Sequence, residues 1–304
     1  MIVVAGESLI DVVLDQDGDS SESVGGSPLN VAVGLGRLDV PVTLVTQAGH
    51  DERGGVLVQH LTGSDVEVVA VPTDSGRTSV ATARLGADGA ATYEFDIEWT
   101  LPQQELPPCR ALHVGSLGTL LEPGRLSVLD LVQQAGQREL FVSYDANLRE
   151  VFIEDRARTR DDVLALGAQC TLVKLSDEDA AVLDPGGDPD DFARLLVGGE
   201  RTRLVLLTRG AGGATAFTTD EEVSAQPRPV EVVDTVGAGD AFMAATLAQL
   251  DDLNAYRHPG PVVPSRPDEL EQLLRGAMEV AAITCERRGA NPPRRHELPP
   301  GWPA

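Results

Sequence analysis

The chain has 304 residues, of which 48 are acidic and 24 are basic, so its formal net charge is −24. Hydrophobic residues make up 42%, which is ordinary for a folded protein and excludes a disordered chain. An acidic surface repels phosphate-rich partners, so we expect binding to neither nucleic acid nor an anionic membrane. The length allows one large α/β domain or two smaller ones. The sequence has no clear boundary between independent domains, so we expect a single domain over residues 1–304.

Short apolar runs alternate with stretches that carry apolar residues at helical spacing. The predicted strands of the main sheet cover residues 2–5, 42–46, 66–71, 111–115, 140–144, 170–175 and 204–208. The predicted helices cover residues 30–38, 54–61, 125–134, 158–166 and 268–283. This alternation predicts a doubly wound, mainly parallel sheet with helices on both faces.

Two segments interrupt the alternation. Residues 12–25 are polar and acidic, and residues 78–99 contain two strand patterns around an Asp-Gly turn at 86–89. A small antiparallel unit beside a parallel sheet is typical of a lid or of a dimerising edge. A surface hairpin without a function has the same pattern.

Residues 232–242 carry the strongest pattern for chemistry. They predict a short strand at the two valines 232–233, a turn of small residues and an apolar helix. Gly237, Ala238 and Gly239 would direct consecutive backbone N–H groups into one space at the helix start, where the helix dipole also favours an anion. Asp240, in the same turn, is suited to accept a proton from a hydroxyl group. Capping of the helix is the alternative role for this carboxylate.

A second glycine-rich turn lies near the start of the chain. Gly25 and Gly26 precede a predicted helix and allow close approach of a ligand, and Asn30 can both donate and accept hydrogen bonds toward sugar hydroxyls. Asp11 adds a carboxylate, which we place at the end of the first strand, where a parallel sheet holds its ligand crevice. Asp11 could equally be a solvated turn residue.

A third glycine-rich turn follows the strand predicted at 204–208. Thr208, Gly210 and Gly213 form a second place where backbone could hold phosphates. Thr215 replaces the third glycine of a dinucleotide-binding motif, which disfavours a dehydrogenase. Lys174 is the only lysine and no glycine precedes it, so the sequence has no Gly-Lys-Ser/Thr phosphate loop.

Cysteine and histidine content excludes further classes of site. Three cysteines are an odd number for a disulfide framework, and neither they nor the five histidines have metal-ligand spacing. The chain begins as a strand rather than as a signal sequence, and no apolar run approaches the ~20 residues of a membrane-spanning helix. We therefore expect a cytoplasmic protein with reduced thiols.

Two of these turns resemble the signatures of a known family. The segment 25–32, followed by Gly49, resembles the first signature of the ribokinase-like (PfkB) carbohydrate kinases, and the segment 234–240 matches the core of the second. The resemblance covers essentially the whole chain. It implies a ribokinase-like three-layer α/β sandwich with a small β-lid at about 12–25 and 78–99. It also implies ATP-dependent phosphorylation of a sugar hydroxyl.

The resemblance also implies roles for individual residues. Asp240 resembles the catalytic base, and the anion hole would be formed by Gly237, Ala238 and Gly239. The positions implied to hold the sugar are Asp11, Gly25, Gly26 and Asn30. The positions implied to hold the nucleotide are Ser176, Thr208, Gly210 and Gly213.

Metal binding is implied less directly. Ser176 and Asp179 stand where many relatives carry the Asn and Glu of an Asn-x-x-Glu motif that acts on Mg²⁺ and phosphate, so Asp179 is the candidate for Mg²⁺. Some relatives hold a monovalent cation beside the anion hole. Asp234 and the backbone near Gly289 are the candidates for K⁺ in this chain.

The motif Asp-Ala-Asn-Leu-Arg at 145–149 resembles that of fructokinases and 2-keto-3-deoxygluconate kinases. Kinases of acid sugars usually carry an arginine in the second lid strand, and this chain has none there, so we expect a neutral ketohexose such as fructose. Arg149 keeps a sugar acid as the alternative substrate, because it could pair with a carboxylate. A non-catalytic sugar-binding protein is a further alternative. We also expect a homodimer through the lid, with Phe95 and Trp99 as candidate contacts.

Overall fold

A computed structural model describes residues 1–15, 19–85, 91–256 and 260–303. Its strands are β1 (Ile2–Ala5), β2 (Leu9–Leu14), β3 (Ser20–Gly25), β4 (Val42–Ala48), β5 (Val66–Pro72), β6 (Val80–Leu85), β7 (Ala91–Asp96), β8 (Ala111–Gly115), β9 (Phe141–Asp145), β10 (Leu172–Ser176), β11 (Leu204–Thr208), β12 (Ala214–Phe217) and β13 (Glu222–Ala225). Its α-helices are α1 (Ser27–Arg37), α2 (Glu52–Thr62), α3 (Gly124–Gln137), α4 (Arg156–Gly167), α5 (Asp177–Leu183), α6 (Pro189–Val197), α7 (Ala238–Asp252) and α8 (Pro267–Cys285).

The main sheet has the order β13-β12-β11-β10-β9-β8-β1-β4-β5 over the described residues. The seven strands β11, β10, β9, β8, β1, β4 and β5 are parallel to one another. At one edge β12 is antiparallel to β11, and β13 is antiparallel to β12. The central strands are buried along their whole length, as expected for strands covered on both faces. The predicted doubly wound, mainly parallel sheet is confirmed.

Two apolar cores cover the two faces of this sheet. Side chains from α1, α2, α7 and α8 form one core with the residues on one face of the strands. Side chains from α3, α4, α5 and α6 form the other core on the opposite face. The arrangement is the predicted three-layer α/β sandwich.

A smaller sheet holds the two segments that interrupt the alternation. Its order is β3-β2-β6-β7, with β2 and β6 parallel and both outer pairs antiparallel. Its first strand begins at Leu9, earlier than the predicted segment 12–25. The turn predicted at 86–89 lies outside the described residues, but the two strands that flank it are confirmed.

The strand predicted at 232–233 is wrong. Val232 and Val233 lie in an irregular segment with 57% and 54% of their surface exposed. The backbone N–H groups of Val233 and Asp234 donate to the carbonyl of Cys285 rather than to a neighbouring strand. β-Branched residues favour a strand only where a sheet is at hand to pack against, and none reaches this segment among the described residues.

Trp99 is also not available as a dimer contact. Its side chain is 4% exposed within the core under α3, and its Nε1–H donates to the carbonyl of Gly118 at 3.1 Å. No helix of the described part of the chain combines the length and the apolar character needed to cross a membrane.

Candidate active site

The N-termini of α1 and α7 meet at the carboxylate of Asp240. Ser27 donates its hydroxyl hydrogen to Asp240 Oδ1 at 2.7 Å, and Asn30 donates from Nδ2 to Oδ2 at 2.8 Å. Asp240 is buried, with 7% of its surface exposed. The structure therefore brings together Asn30 and Asp240, two predicted site residues that stand 210 positions apart. Ser27 was not predicted, although it lies inside the first glycine-rich motif.

Small residues allow this close approach of the two helices. One turn beyond Asn30, Gly34 faces Ala244, which lies one turn beyond Asp240. A Cβ on Gly34 would come within 2.5 Å of the Ala244 methyl group. The spacing of four residues on each helix puts the packing contact and the polar contact on the same faces.

The first turn of α7 has the geometry expected of an anion site. Gly237 caps the helix in the left-handed conformation with φ +75°, and a Cβ there would lie 2.5 Å from that of Ala290. The N–H of Ala238 already donates to the carbonyl of Thr235 at 3.2 Å. The backbone donors at Gly237 and Gly239 therefore matter more for an anion than that of Ala238.

Asp11 does not lie at the end of the first strand, as predicted. It is the third residue of β2 in the small sheet, opposite Ser23 of β3. A Cβ on Gly25 would overlap Asp11 Oδ2, so this glycine makes room for the carboxylate. Sequence reasoning failed here because a local pattern does not reveal that the chain leaves the main sheet after Ala5.

The charges around Asp11 show which groups share its space. Burial raises the pKa of Asp11 to about 6; the guanidinium of Arg149 opposes this rise and the carboxylate of Asp240 adds to it. Asp11, Arg149 and Asp240 therefore lie near enough to interact. Gly26, the N-cap of α1, joins this wall of the crevice, because a Cβ there would lie 2.7 Å from the carbonyl of Glu7.

The loop after β9 contributes Asn147 and Arg149 to the same crevice. Asn147 Nδ2 approaches Asp240 Oδ1 at 3.4 Å, and Arg149 donates to Asn147 Oδ1 at 2.7 Å. Arg149, the residue that we expected to pair with the carboxylate of a sugar acid, is exposed. Asn147 was not predicted as a site residue, although the motif at 145–149 contains it.

Ser176 and Asp179 form the N-terminal cap of α5. Asp179 Oδ2 accepts from the N–H of Ser176 at 2.8 Å, and Oδ1 accepts from the N–H of Leu148 at 2.7 Å. Each carboxylate oxygen thus accepts a backbone N–H, and that of Leu148 belongs to the loop that carries Arg149. This arrangement does not fit direct coordination of Mg²⁺ by Asp179. No cluster of three or more acidic, histidine or cysteine side chains suited to a metal ion occurs in the described ranges.

The predicted nucleotide residues lie at the carboxyl ends of neighbouring strands. Ser176 at the end of β10 is in register with Thr208 at the end of β11. Gly210 begins a 3₁₀ turn after Thr208, and Gly213 ends it with φ +90°. The edge where parallel strands end is where such sheets bind ligands, so this position suits a nucleotide.

Asp234 connects the loop before α7 to the C-terminal part of the chain. Its Oδ1 accepts from the N–H of Val236 at 3.0 Å, and its Oδ2 accepts from the N–H of Gly289 at 2.8 Å. The structure therefore brings together the two segments that we named for K⁺.

Glu7 is a buried carboxyl group in the crevice that sequence reasoning missed. It is 3% exposed and accepts from the N–H of Gly118 at 2.7 Å. Burial raises its pKa to about 7, although the hydrogen bonds from its own N–H, Gly118 and Ser116 and the charge of Arg149 oppose the rise. A Gly-Glu pair at the end of a first strand is the only sequence signal that could have indicated it.

Glu7→Gln is expected to stabilise the protein at about pH 8 by about 3 kcal/mol, and to change its stability little below about pH 4.5. The folded state binds the Glu7 proton more tightly than the unfolded state, so the contribution of Glu7 to stability falls as pH rises from about 4.5 to about 7. Denaturant unfolding of both proteins across this range measures the difference. The exposed Glu105→Gln variant is the control, and an equal pH dependence in all three proteins would contradict the prediction.

The chain is similar to known carbohydrate kinases along almost its whole length. A family model described as pfkB family carbohydrate kinase matches residues 1–297. The fructokinase of Rhizobium leguminosarum bv. trifolii is 34% identical over 315 residues, covering 98% of this chain and 90% of that protein. The probable fructokinase-2 of Arabidopsis thaliana is 30% identical over 309 residues, covering 96% of this chain and 92% of that protein.

A solved structure shares the fold. An uncharacterized sugar kinase from Pyrococcus horikoshii in complex with ATP superposes with a TM-score of 0.79 at 25% identity, covering 98% of this chain and 97% of that one. The resemblance of the two glycine-rich signatures is thereby confirmed, and the chain belongs to the pfkB family of ATP-dependent carbohydrate kinases.

Proposed function

We propose that the chain is a fructokinase, which transfers the γ-phosphoryl group of ATP to a hydroxyl of fructose. The observation that carries this proposal is the buried Asp240 at the start of α7, held by Ser27 and Asn30 beside a glycine cap. Relatives named fructokinase align with almost the whole chain at 30–34% identity, which supports fructose as the acceptor.

Phosphoryl transfer requires mainly positioning and charge stabilisation. In our proposal Asp240 accepts the proton of the attacking hydroxyl, while Asp11, Asn30 and Arg149 position the sugar along the glycines at 25–26. The backbone N–H groups of Gly237 and Gly239 and the dipole of α7 stabilise charge on the transferring group. The strand ends at Ser176 and Thr208, with the turn at 210–213, hold the nucleotide.

Cations enter the proposal in two different ways. Mg²⁺ neutralises phosphate charge when it is bound, and we assign it no protein ligand, since both oxygens of Asp179 hold backbone. For K⁺ we propose backbone carbonyls near Gly289, because oxygen atoms are the ligands that such a hard cation takes. Asp234, whose two oxygens accept the N–H groups of Val236 and Gly289, would add negative charge nearby without direct coordination.

We propose that the small sheet closes over the sugar and excludes water, which competes as a phosphoryl acceptor. Phe95 of β7 packs edge-on against Phe152, three residues after Arg149, with 4.9 Å between ring centroids. This contact links the lid to the loop that carries Arg149. We also propose a homodimer through this sheet, on the ground that Tyr93, stacked on Phe95, is 66% exposed; a monomer in sedimentation velocity at micromolar concentration would contradict it.

The charges in the lid favour a neutral sugar over a sugar acid. Arg84 pairs with Glu94 at 3.4 Å, and Arg77 pairs with Asp96 at 3.5 Å, so these lid cations already have carboxylate partners. Arg149 donates through Nη1 to Asn147 Oδ1 and to the carbonyl of Leu148. A sugar acid is the second candidate because Arg149 alone could meet its carboxylate.

A coupled ATP-consumption assay across fructose, other neutral ketoses and aldoses, and 2-keto-3-deoxygluconate tests the substrate. We expect fructose to give the highest kcat/KM, and Arg149→Met to lower it by less than about tenfold, because a neutral sugar has no carboxylate that would lose its cation. For a sugar acid the same change would cost roughly 100-fold, since it leaves a carboxylate without its cation. If only the sugar acid supported turnover, fructose would not be the substrate. If no sugar stimulated ATP consumption, the proposal that the chain is a sugar kinase would be wrong.

A further inference from the structure

The only lysine of the chain lies in a buried ion pair that the proposed function does not use. Lys174 on β10 is 4% exposed, and its Nζ donates to both carboxylate oxygens of Asp145 on β9 at 2.9 Å. Asp145 is fully buried. Because desolvation offsets most of the attraction, a buried ion pair is a weak source of stability, and apolar side chains of the same size often serve equally well.

The pair lies directly beneath the first turn of α7. A Cβ on Gly239 would be in van der Waals contact with Lys174 Nζ, at 3.4 Å. Burial opposes the charge of Lys174, but the carboxylates of Asp145, Asp179 and Asp240 together raise its pKa. The ammonium group therefore carries its charge within reach of Asp240 and of the backbone donors beside it.

Several other titratable groups lie around the pair. Burial and the charge of Lys174 lower the pKa of His113 on β8 to about 3, so that imidazole is neutral at neutral pH. Burial raises the pKa of Asp145 to about 6. The ammonium group of Lys174 opposes this rise, and the carboxylates of Asp179 and Asp240 add to it. On the solvent side, Asp11 and Arg149 face Asp240 from the small sheet and from the loop after β9. One buried cation thus lies among several carboxylates.

We propose that Lys174, held in place by Asp145, is a positioning residue for phosphoryl transfer. Its positive charge lies beneath the carboxylate of Asp240, and it adds positive potential to the amides at 237–239 where negative charge collects. The inference rests on the proposed function and extends it. It assigns the positive potential beneath the site to a residue that touches no substrate.

Three variants of the full chain test this role: Lys174→Met, Asp145→Asn and the double variant Asp145→Asn/Lys174→Met. The readouts are kcat and KM with fructose and ATP, the pH dependence of kcat/KM, and the thermal midpoint. Lys174→Met leaves Asp145 buried without its partner, so we expect a lower midpoint. The double variant removes both charges, and we expect its midpoint to return close to that of the wild type.

Activity is expected to behave differently from stability. In the double variant kcat stays about tenfold below wild type, a loss smaller than that for removing a direct oxyanion donor. The acid limb of the pH profile moves to higher pH in Lys174→Met, because the carboxylates of the site lose a neighbouring cation while Asp145 keeps its negative charge. In Asp145→Asn, which keeps the lysine, the acid limb moves to lower pH. The two single variants are therefore expected to shift the acid limb in opposite directions, and this comparison does not require the double variant to fold.

The ion pair of Arg110 and Asp251 supplies the matched control. Arg110 Nη2 lies 2.8 Å from Asp251 Oδ1 near the opposite end of α7. The double variant Arg110→Met/Asp251→Asn is expected to leave the pH profile unchanged. Wild-type kcat in the Asp145/Lys174 double variant, together with an unshifted acid limb in Lys174→Met, would overturn the proposal and make the pair purely structural. If the wild type consumes no ATP with any sugar, the proposed function itself fails, and this outcome is seen before any variant is made.

Discussion

Asp240→Asn is expected to lower kcat by about 10²–10⁴-fold, the range that a general base contributes. The amide has the size of the carboxylate and accepts the hydrogen bond of Ser27 through its oxygen. The Asn30 side-chain amide can turn its oxygen toward the new N–H group, so the contact between α1 and α7 is kept. Binding of fructose and ATP, measured by titration calorimetry, and the thermal midpoint should therefore change little.

Ser27→Ala is the matched control for this substitution. It removes one hydrogen bond to Asp240 but leaves the carboxylate able to accept a proton, so we expect less than about a tenfold loss of kcat. If Asp240→Asn turned over fructose at a rate near that of wild type, Asp240 would not be the base. Its role would then be restricted to holding the two helix ends together.

Gly237→Ala is expected to cost about 2–4 kcal/mol of unfolding free energy and to lower kcat by roughly 100-fold. The left-handed conformation at φ +75° strains an alanine by about 1–2 kcal/mol, and the added methyl meets Ala290 Cβ at 2.5 Å. Relief of this contact moves the first turn of α7, and small displacements of catalytic groups are costly in rate. Denaturant unfolding and steady-state kinetics measure the two effects.

Gly76→Ala separates backbone strain from the steric contact. Gly76 has nearly the same conformation, with φ +71°, but a Cβ there meets no atom within 4 Å. We expect it to lose only the strain energy of about 1–2 kcal/mol and to keep its kcat. Equal losses of kcat in the two variants would show that the position of α7 does not depend on the Gly237–Ala290 contact.

The glycine-rich turns were predictable because their signal is local. At 25–30 and 237–240, small residues are followed at once by a helical pattern, and chain direction alone puts backbone donors and an acidic or amide side chain at the helix start. The apolar run at 204–208 likewise predicted β11 with its observed bounds. Interactions within a few residues of one another decide these features.

Other predictions failed where a local pattern has two tertiary outcomes. The valines at 232–233 have a high strand propensity, but no strand edge lies beside them in the described part of the chain, so they remain exposed. Asp11 follows a buried strand closely enough to suggest its end, yet the chain turns into a second sheet first. Nothing in the intervening residues indicates which sheet the next strand joins.

The sequence by itself determined the alternation of strands and helices, the two family signatures and the lack of a lysine-containing phosphate loop, and it singled out Asp240 as the candidate base. Only the tertiary structure decided that Ser27, Asn30 and Asn147 surround that carboxylate, that Asp179 holds backbone, and that Lys174 lies beneath Gly239. The physical reason is the range of the interactions involved. Propensity, turn chemistry and helix capping act over a few residues, whereas packing of α1 on α7 and of β10 on β9 sets the distances between groups far apart in the chain.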